Sequence, residues 1–293
     1  MEQKRCEIAE TDEAYPKVLF ELAEPPERLY VIGDPESLTL PSLAVIGARR
    51  ATPYGLAVAE MAGRIAAECG IALVSGGAMG CDAAALRAAQ RAGGVTVVVS
   101  GTGADRVYPQ TSRDVFEGAP RGGGCVVSLE HWGSPPIPYV FPKRNRVIAA
   151  LCEALLVAEA GERSGTSSTA ECASDLGRTI YAVPGSIFSP ESVGANRLIC
   201  EGAAPIVSEE DLEMRISLDF GAVRLMMPGQ KRELGRILSA LVSSPMRPDD
   251  LANRLGEPAL SVLVALSDYE ASGLVVRLPD GRYSPSRECL LSR

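Results

Sequence analysis

Residues 71–101 read IALVSGGAMGCDAAALRAAQRAGGVTVVVSG, in which two short apolar runs flank a segment with helical spacing. The runs IALVSG (71–76) and GVTVVVSG (94–101) resemble strands of a parallel sheet, which are apolar on both faces because helices cover both. The segment between them ends in glycine, where a helix commonly terminates. This stretch therefore predicts two parallel strands joined by a crossover helix.

The same alternation continues on both sides of this unit. Further apolar runs of strand length are LAVIG (43–47), CVVSL (125–129), ALLVAEA (154–160) and TIYAVPG (179–185). Helical patterns separate them, so the chain predicts an α/β fold, an extended Rossmann-like, doubly wound and mostly parallel sheet with helices on both faces. This domain is expected over residues 41–217, after an N-terminal segment of residues 1–40.

A second, smaller domain is predicted at the C-terminal end. Residues 218–229 show neither the apolar run of a buried strand nor the spacing of a helix, and they are interpreted as a linker. Beyond them, residues 230–293 contain three short helical patterns and then LVVRLPDGRYSP, in which Asp280-Gly281 is typical of a hairpin turn. Three helices followed by a hairpin predict a winged-helix domain.

Composition restricts the classes of function. A net charge of −8 means that any contact with nucleic acid must depend on a local basic patch. With one histidine and eight cysteines that form no C-x-x-C pair, the chain favours buried free thiols over a metal site or a histidine-based triad. No apolar run is long enough to span a bilayer, so we expect a soluble, cytoplasmic protein.

Four glycine-rich loops follow predicted strands: GARRATPYG (47–55), SGGAMGCD (75–82), GTGADRVYP (101–109) and ERSGTSSTA (162–170). Such loops present backbone N–H groups to anions at the carboxyl edge of a doubly wound sheet. Each loop alone fits ordinary turn chemistry equally well. The residues expected to support a phosphate are Gly47, Ser75, Gly76, Gly77, Gly80, Gly101 and Gly103, together with Ser164, Gly165 and Thr166 at a helix start.

Two segments without acidic residues combine positive charge with aromatic rings. Residues 131–152 carry Lys143, Arg144 and Arg146, interleaved with the stacking candidates Trp132, Tyr139 and Phe141, and residues 37–59 carry Arg49 and Arg50. This combination suits single-stranded nucleic acid, whose phosphates need cations and whose unstacked bases need flat partners. The pattern also permits core aromatics and arginines paired with carboxylates on neighbouring helices.

Two classes of enzyme that use such a sheet lack their motifs in this chain. A dinucleotide-dependent oxidoreductase needs G-x-G-x-x-G after its first strand, whereas Gly47 is followed by ARRATPYG. The P-G-G-x-G-T-x-x-E motif of nucleoside-monophosphate phosphoribohydrolases is also absent. A non-catalytic nucleotide sensor that uses the same loops remains an alternative.

Six motifs in order, from GARRATPYG to GANRLICEGA, make residues 15–215 resemble the DprA/Smf (DNA processing protein A) family. The resemblance implies a protein without catalytic activity, cofactor or metal, which binds single-stranded DNA and delivers it to a RecA-type recombinase during natural transformation and recombination. It also implies a homodimer, for which the apolar last strand TIYAVPG and its following helix are the expected contact.

Matched by position, the resemblance assigns DNA binding to the basic residue after the first glycine, to the F-P-x-R-N-R segment and to the Ser-Gly phosphate loop. These residues are Arg49, then Lys143, Arg144, Asn145 and Arg146, and then Ser164, Gly165 and Thr166. The chain departs from the family at Leu86, where a histidine is usual. It also shows no sign of the additional N-terminal helical domain that relatives often carry.

Overall fold

A nine-stranded sheet is the framework of the structure, a computed structural model that describes residues 4–162, 165–223 and 236–291. Within those residues its strands are β1 (Arg5–Ala9), β2 (Arg28–Gly33), β3 (Ser42–Ile46), β4 (Ala72–Ser75), β5 (Thr96–Ser100), β6 (Cys125–Ser128), β7 (Ala154–Val157), β8 (Thr179–Ala182) and β9 (Ala204–Pro205). They lie in the order β1-β2-β6-β5-β4-β3-β7-β8-β9, and β3 to β9 run parallel. The predicted mostly parallel sheet is confirmed, and each of the six apolar runs forms a strand.

Helices cover both faces of this sheet. They are α1 (Pro53–Glu68), α2 (Cys81–Arg91), α3 (Arg113–Arg121), α4 (Val140–Leu151), α5 (Gly165–Asp175), α6 (Val193–Cys200) and α7 (Glu209–Phe220). Apolar side chains of α1, α2, α3 and α7 form one core cluster, and those of α4, α5 and α6 form another on the opposite face. The doubly wound arrangement is thereby confirmed. Leu86 is fully buried in the first cluster, as expected for a packing residue.

The strand order reverses between β3 and β7. From β3 the chain proceeds through β4, β5 and β6 on one side, and then returns to place β7 on the other side of β3. Doubly wound sheets bind ligands in the crevice at such a reversal, outside the carboxyl ends of the strands. We call the loops that follow β3, β4, β5, β7 and β8 the carboxyl edge.

The two ends of the sheet contain strands that the sequence pattern did not reveal. In the N-terminal segment, β1 pairs with β2 and β2 pairs with β6, both antiparallel, and Leu29 and Val31 are fully buried. Antiparallel edge strands need no crossover helix, so the alternation that identified the other strands is missing here. At the opposite end, the short β9 lies beyond β8. TIYAVPG is therefore not the last strand, contrary to prediction.

The C-terminal domain has the predicted winged-helix order. Its elements are α8 (Arg236–Ser243), α9 (Pro248–Leu255), α10 (Ala259–Ala271), β10 (Val275–Arg277), β11 (Tyr283–Pro285) and a further helix, α11 (Arg287–Leu291). Helix α7 continues through residues 218–220, which were predicted as linker, while residues 224–229 of that prediction lie outside the described residues. Arg287 pairs with the buried carboxylate of Glu60 at 3.1 Å, so α11 docks on α1.

Two sequence expectations concern the whole chain. The eight cysteines are free, but only five are buried, and Cys200 is exposed rather than buried as predicted. Its position on the last turn of the short helix α6 leaves the thiol in solvent. Among the described helices, none is long and apolar enough to cross a membrane.

Candidate functional site

The carboxyl edge brings the glycine-rich loops into contact with one another. The amide of Ala48, after β3, donates to the carbonyl of Glu159, after β7, at 2.8 Å, and the amide of Cys81 donates to the carbonyl of Ala48 at 3.2 Å. Most of the predicted phosphate-supporting glycines are needed for this packing. A Cβ would come within 3.0 Å of a neighbouring atom at Gly47, Gly76, Gly77, Gly80, Gly101 and Gly103. Ser75 is likewise occupied, since its hydroxyl donates to the carbonyl of Val45.

Arg144 lies beneath this edge rather than on it. Only 3% of the residue is exposed, and its Nη1 donates to the carbonyl of Val99 at 2.7 Å. Burial lowers the pKa of Arg144 to about 10, while the nearby carboxylate of Asp82 acts in the opposite direction. Arg144, a predicted DNA-binding residue, is therefore buried and contributes to the site from below rather than lying exposed on the surface. It forms the floor of the site and sits so close to Gly76 that a Cβ there would displace its guanidinium.

A small pocket of about 50 Å³ opens above Arg144. Its walls are Arg49, Gly76, Ala78, Met79, Tyr108, Pro109 and Phe141. The ring of Phe141 lies 5.7 Å from the guanidinium carbon of Arg49 and 5.9 Å from the ring of Tyr108. Met79 and Tyr108, both exposed, were not predicted as site residues, although both occur in glycine-rich loops that were. The pocket thus joins one exposed cation to an aromatic pair.

Four predicted cations lie on the two segments that border this pocket, and one of them, Arg49, lines it directly. Arg49 and Arg50 follow β3, and Lys143 and Arg146 project from the exposed face of α4, one turn apart. Within the described residues, none of the four forms a salt bridge. Asn145, between them, is half-buried. The alternative interpretation of the strip, arginines paired with acids on neighbouring helices, does not apply to these side chains.

The predicted stacking residues separate into two places. Tyr139 is exposed beside Lys143, whose Nζ lies 6.0 Å from its ring centroid, and Phe141 lines the pocket. Trp132 instead lies against β1 and β2, where its indole nitrogen donates to Glu7 at 3.0 Å and its ring meets Tyr30 edge-on. Trp132 therefore lies apart from the other two rings, with its indole nitrogen bonded to Glu7 and its ring packed against Tyr30.

The predicted Ser-Gly loop lies only partly within the described residues. Gly165 is exposed at the first position of α5, and Thr166 is buried. Ser164 lies outside the described residues. The exposed backbone of Gly165 is thus the described part of this loop that can face an anion.

A buried carboxylate marks the reversal point between β3 and β7. Glu159 accepts hydrogen bonds from the amide of Thr52 at 2.8 Å and from its hydroxyl at 2.5 Å. Burial raises the pKa of Glu159, and the two bonds from Thr52 counteract this. Neither Thr52 nor Glu159 was predicted as a site residue from the sequence. An acidic residue directly after an apolar strand, as Glu159 is, could have indicated the site. In the described part of the chain, no group of histidine, cysteine and acidic side chains is arranged to hold a metal.

Comparison with known proteins identifies similar chains. The profile of the family described as DNA recombination-mediator protein A matches residues 7–217, and that of the DprA winged-helix domain matches residues 228–281. Protein Smf of Escherichia coli is 33% identical over 309 residues, covering 100% of this chain and 81% of that protein. DNA processing protein DprA of Streptococcus pneumoniae is 37% identical over 211 residues, covering 72% and 74%.

Two solved structures are similar to this one. The X-ray structure of DNA processing protein A from Streptococcus pneumoniae has a TM-score of 0.66 at 37% identity and covers 72% of this chain and 74% of that chain. A structure of DNA processing protein A from Helicobacter pylori, described for its unique single-stranded DNA binding mode, has a TM-score of 0.65 at 29% identity. It covers 74% of this chain and 99% of that chain. Both likenesses agree with the Rossmann-like sheet described above.

Proposed function

The chain belongs to the DNA recombination-mediator protein A family, and we propose that it binds single-stranded DNA along the carboxyl edge of its sheet. The phosphates lie against the exposed cations that follow β3 and project from α4. The bases face the aromatic rings around the pocket. The role is binding and delivery of a strand, without a chemical step.

The observation that carries this proposal is the set of unpaired cations. Within the described residues no carboxylate pairs with Arg49, Arg50, Lys143 or Arg146, in a chain whose net charge is −8. Elsewhere on the same domain, Arg87 faces Asp114 and Arg91 faces Glu60. A local group of free cations in an acidic protein attracts a polyanion to one place on the surface.

Single strands are favoured over duplex because of the rings beside those cations. Phe141, Tyr108 and Tyr139 offer flat faces on which unstacked bases can stack, a contact worth about 1–3 kcal/mol per base. A duplex keeps its base faces inside the helix. The relative from Helicobacter pylori, described for its single-stranded DNA binding mode, supports the same choice.

We propose that the bound strand is delivered to a RecA-type recombinase, and the description of the family as a recombination-mediator protein supports this proposal. We propose that this occurs in the cytoplasm, in DNA processing, natural transformation and recombination, and that the protein acts as a homodimer. The short edge strand β9 is followed in the chain by the exposed apolar side chains of Val207, Met214 and Leu218, which supports a contact between two copies at this end of the sheet. Light scattering at micromolar concentration is expected to give the mass of two chains, and a monomer would remove the dimer from the proposal.

Anisotropy titrations with single-stranded DNA, duplex DNA and a mononucleotide test the binding proposal. We expect the single strand to bind most tightly, with little sequence preference and with affinity that falls as salt increases. Equal affinity for single strand and duplex would contradict the proposal. Tight binding of the mononucleotide alone would replace it with the nucleotide-sensor alternative.

A further inference from the structure

The loop between β8 and α6 exposes two large apolar side chains. Phe188 is 84% exposed and Ile187 is 81% exposed, the highest values among the exposed large hydrophobic side chains of the described chain. Burying such a side chain typically stabilises a fold. Ile187 and Phe188 do not contribute in this way, because both stay exposed to solvent. They are therefore candidates for contact with a ligand.

The loop that carries these side chains is held in place at its base. Asn196 on α6 accepts from the amide of Gly185 and donates to its carbonyl, both at 3.0 Å. The amide of Phe188 donates to the hydroxyl of Ser186 at 3.2 Å. The exposure of the two apolar side chains thus belongs to a loop with defined internal bonds.

The helix that follows this loop, α6, contacts the segment that follows β7 and leads to the predicted phosphate loop. The amide of Gly194 donates to the carbonyl of Ala160 at 2.8 Å, and Arg197 pairs with Glu162 at 3.8 Å. Residues 160–162 lead directly to Gly165 at the start of α5. The loop that carries Phe188 follows β8 and therefore lies on the carboxyl edge, and α6 at its end contacts the loop that follows β7.

The sheet sets the distance between this loop and the Phe141 pocket. Three strand spacings separate β8 from β4, whose following loop lines the pocket. At about 4.8 Å per spacing this is roughly 14 Å. A strand stacked as in a duplex covers that length in about four nucleotides, and an extended strand in fewer.

The charges near Phe188 indicate which part of a strand it would meet. Arg197 is already paired with Glu162, and the carboxylate of Glu191 accepts from the hydroxyl of Ser189 at 2.7 Å. No free cation of the described loop is available for a phosphate. The loop therefore suits an uncharged flat group, which in a polynucleotide is a base.

We infer that Phe188, supported by Ile187, is a second base-stacking subsite, about four nucleotides from the Phe141 pocket, at which the single-strand track ends. The inference rests on the proposed function, since it extends the same track. Because the subsite binds a base and no phosphate, it adds affinity without adding salt dependence. It also contributes only to strands long enough to reach it.

The test uses the full chain and oligothymidylates of about 2 and about 12 nucleotides in anisotropy titrations, because the shorter strand cannot span the distance from the Phe141 pocket to Phe188. We expect Phe188→Ala to weaken binding of the longer strand by roughly five- to tenfold, with an unchanged salt slope, and to leave the shorter strand unaffected. Phe188→Tyr should restore the affinity. Phe20→Ala is the matched control, because Phe20 is also an exposed phenylalanine, at 51%, and it is distant in sequence from the loops of this edge.

The outcomes separate this inference from the proposed function. Wild-type affinity of Phe188→Ala for both strands, or an equal loss for both, would overturn the subsite while the binding proposal stands. A changed oligomeric mass at unchanged DNA affinity would also overturn it, by assigning Phe188 to a protein contact. If the wild-type chain bound neither strand, the proposed function would fail and the subsite with it.

Discussion

At the scale of single residues, the candidate site is distinguished by exposed cations that stand beside aromatic rings. Within the described residues, Arg49 and Lys143 form no salt bridge, and neither does Arg146. Reversing any one of these charges should weaken single-strand binding by roughly tenfold or more, because an attraction to phosphate becomes a repulsion. Anisotropy at fixed salt measures the loss. Neutralising one of them should also flatten the dependence of log Kd on log salt by about 0.7, the value for one phosphate contact of a single strand.

The controls for these substitutions are Arg87→Glu and Arg91→Glu. Both change the net charge by the same amount, but the two arginines lie on α2 and already face Asp114 and Glu60. We expect them to leave the affinity within about twofold, since they are not at the carboxyl edge. If all five variants lost affinity equally, the cations would act through net charge alone and the assigned site would be wrong.

At the scale of elements, the N-terminus of α1 connects the loops on either side of the strand reversal. The hydroxyl of Thr52 accepts from the amide of Gly55 and donates to the carboxylate of Glu159. Thr52→Ala should lower the free energy of unfolding by about 1–3 kcal/mol, because it removes a helix cap and a partner of a buried carboxylate. Urea denaturation followed by circular dichroism measures the change.

The loss should depend on pH, with a sign set by Glu159. Burial raises its folded-state pKa above the ordinary value of 4.5, so the folded state binds the proton more tightly than the unfolded state does. Stability therefore falls as pH rises from that value through the folded pKa. Removing the Thr52 hydroxyl raises the folded pKa further, so Thr52→Ala should cost more at pH 8 than at pH 4.

Ser208→Ala is the matched control, because the Ser208 hydroxyl caps α7 by accepting from the amide of Asp211. Its cost should not follow the titration of Glu159. An equal cost of Thr52→Ala at both pH values would show that the buried carboxylate does not depend on that hydroxyl.

At this scale, the sequence predicts elements through the spacing of apolar residues and through the alternation of strand and helix patterns. Parallel strands buried on both faces are uniform apolar runs between helical patterns, so all six were found. Antiparallel β1 and β2 lack a crossover helix, and β9 has only two residues, so neither signal marks them. The sequence also did not predict which side chains of a segment point into the core and which point into solvent. Arg144 and Arg146 look alike in FPKRNR, yet the helical turn directs one into the core and the other into solvent.

At the scale of the whole molecule, two domains are candidates for meeting DNA, and the structure distinguishes them. A helix-turn-helix reader places its second helix in the major groove and needs donors along it. In this domain that helix is α10, and residues 257–273 contain no lysine or arginine. Its outward face carries Leu260, which is 74% exposed, with Leu263 and Val264. An apolar outward face with acids beside it is suited to contact with protein rather than with phosphate.

We therefore expect the winged helix not to be the DNA-binding element. Truncation after Pro228 should leave single-strand affinity within about threefold, because the unpaired cations and the Phe141 pocket belong to the sheet domain. Since truncation also uncovers α1, where Arg287 pairs with Glu60, thermal melting must first show that the shortened chain folds. Arg277→Glu in the full-length chain is the companion variant. Arg277 is exposed on β10 and is the described cation of the β10–β11 hairpin without a carboxylate partner, whereas Arg282 pairs with Asp280. Both variants should bind a single strand as the wild type does. A folded truncated chain that lost most of its affinity, or an equally large loss in Arg277→Glu, would move the DNA site to the winged helix.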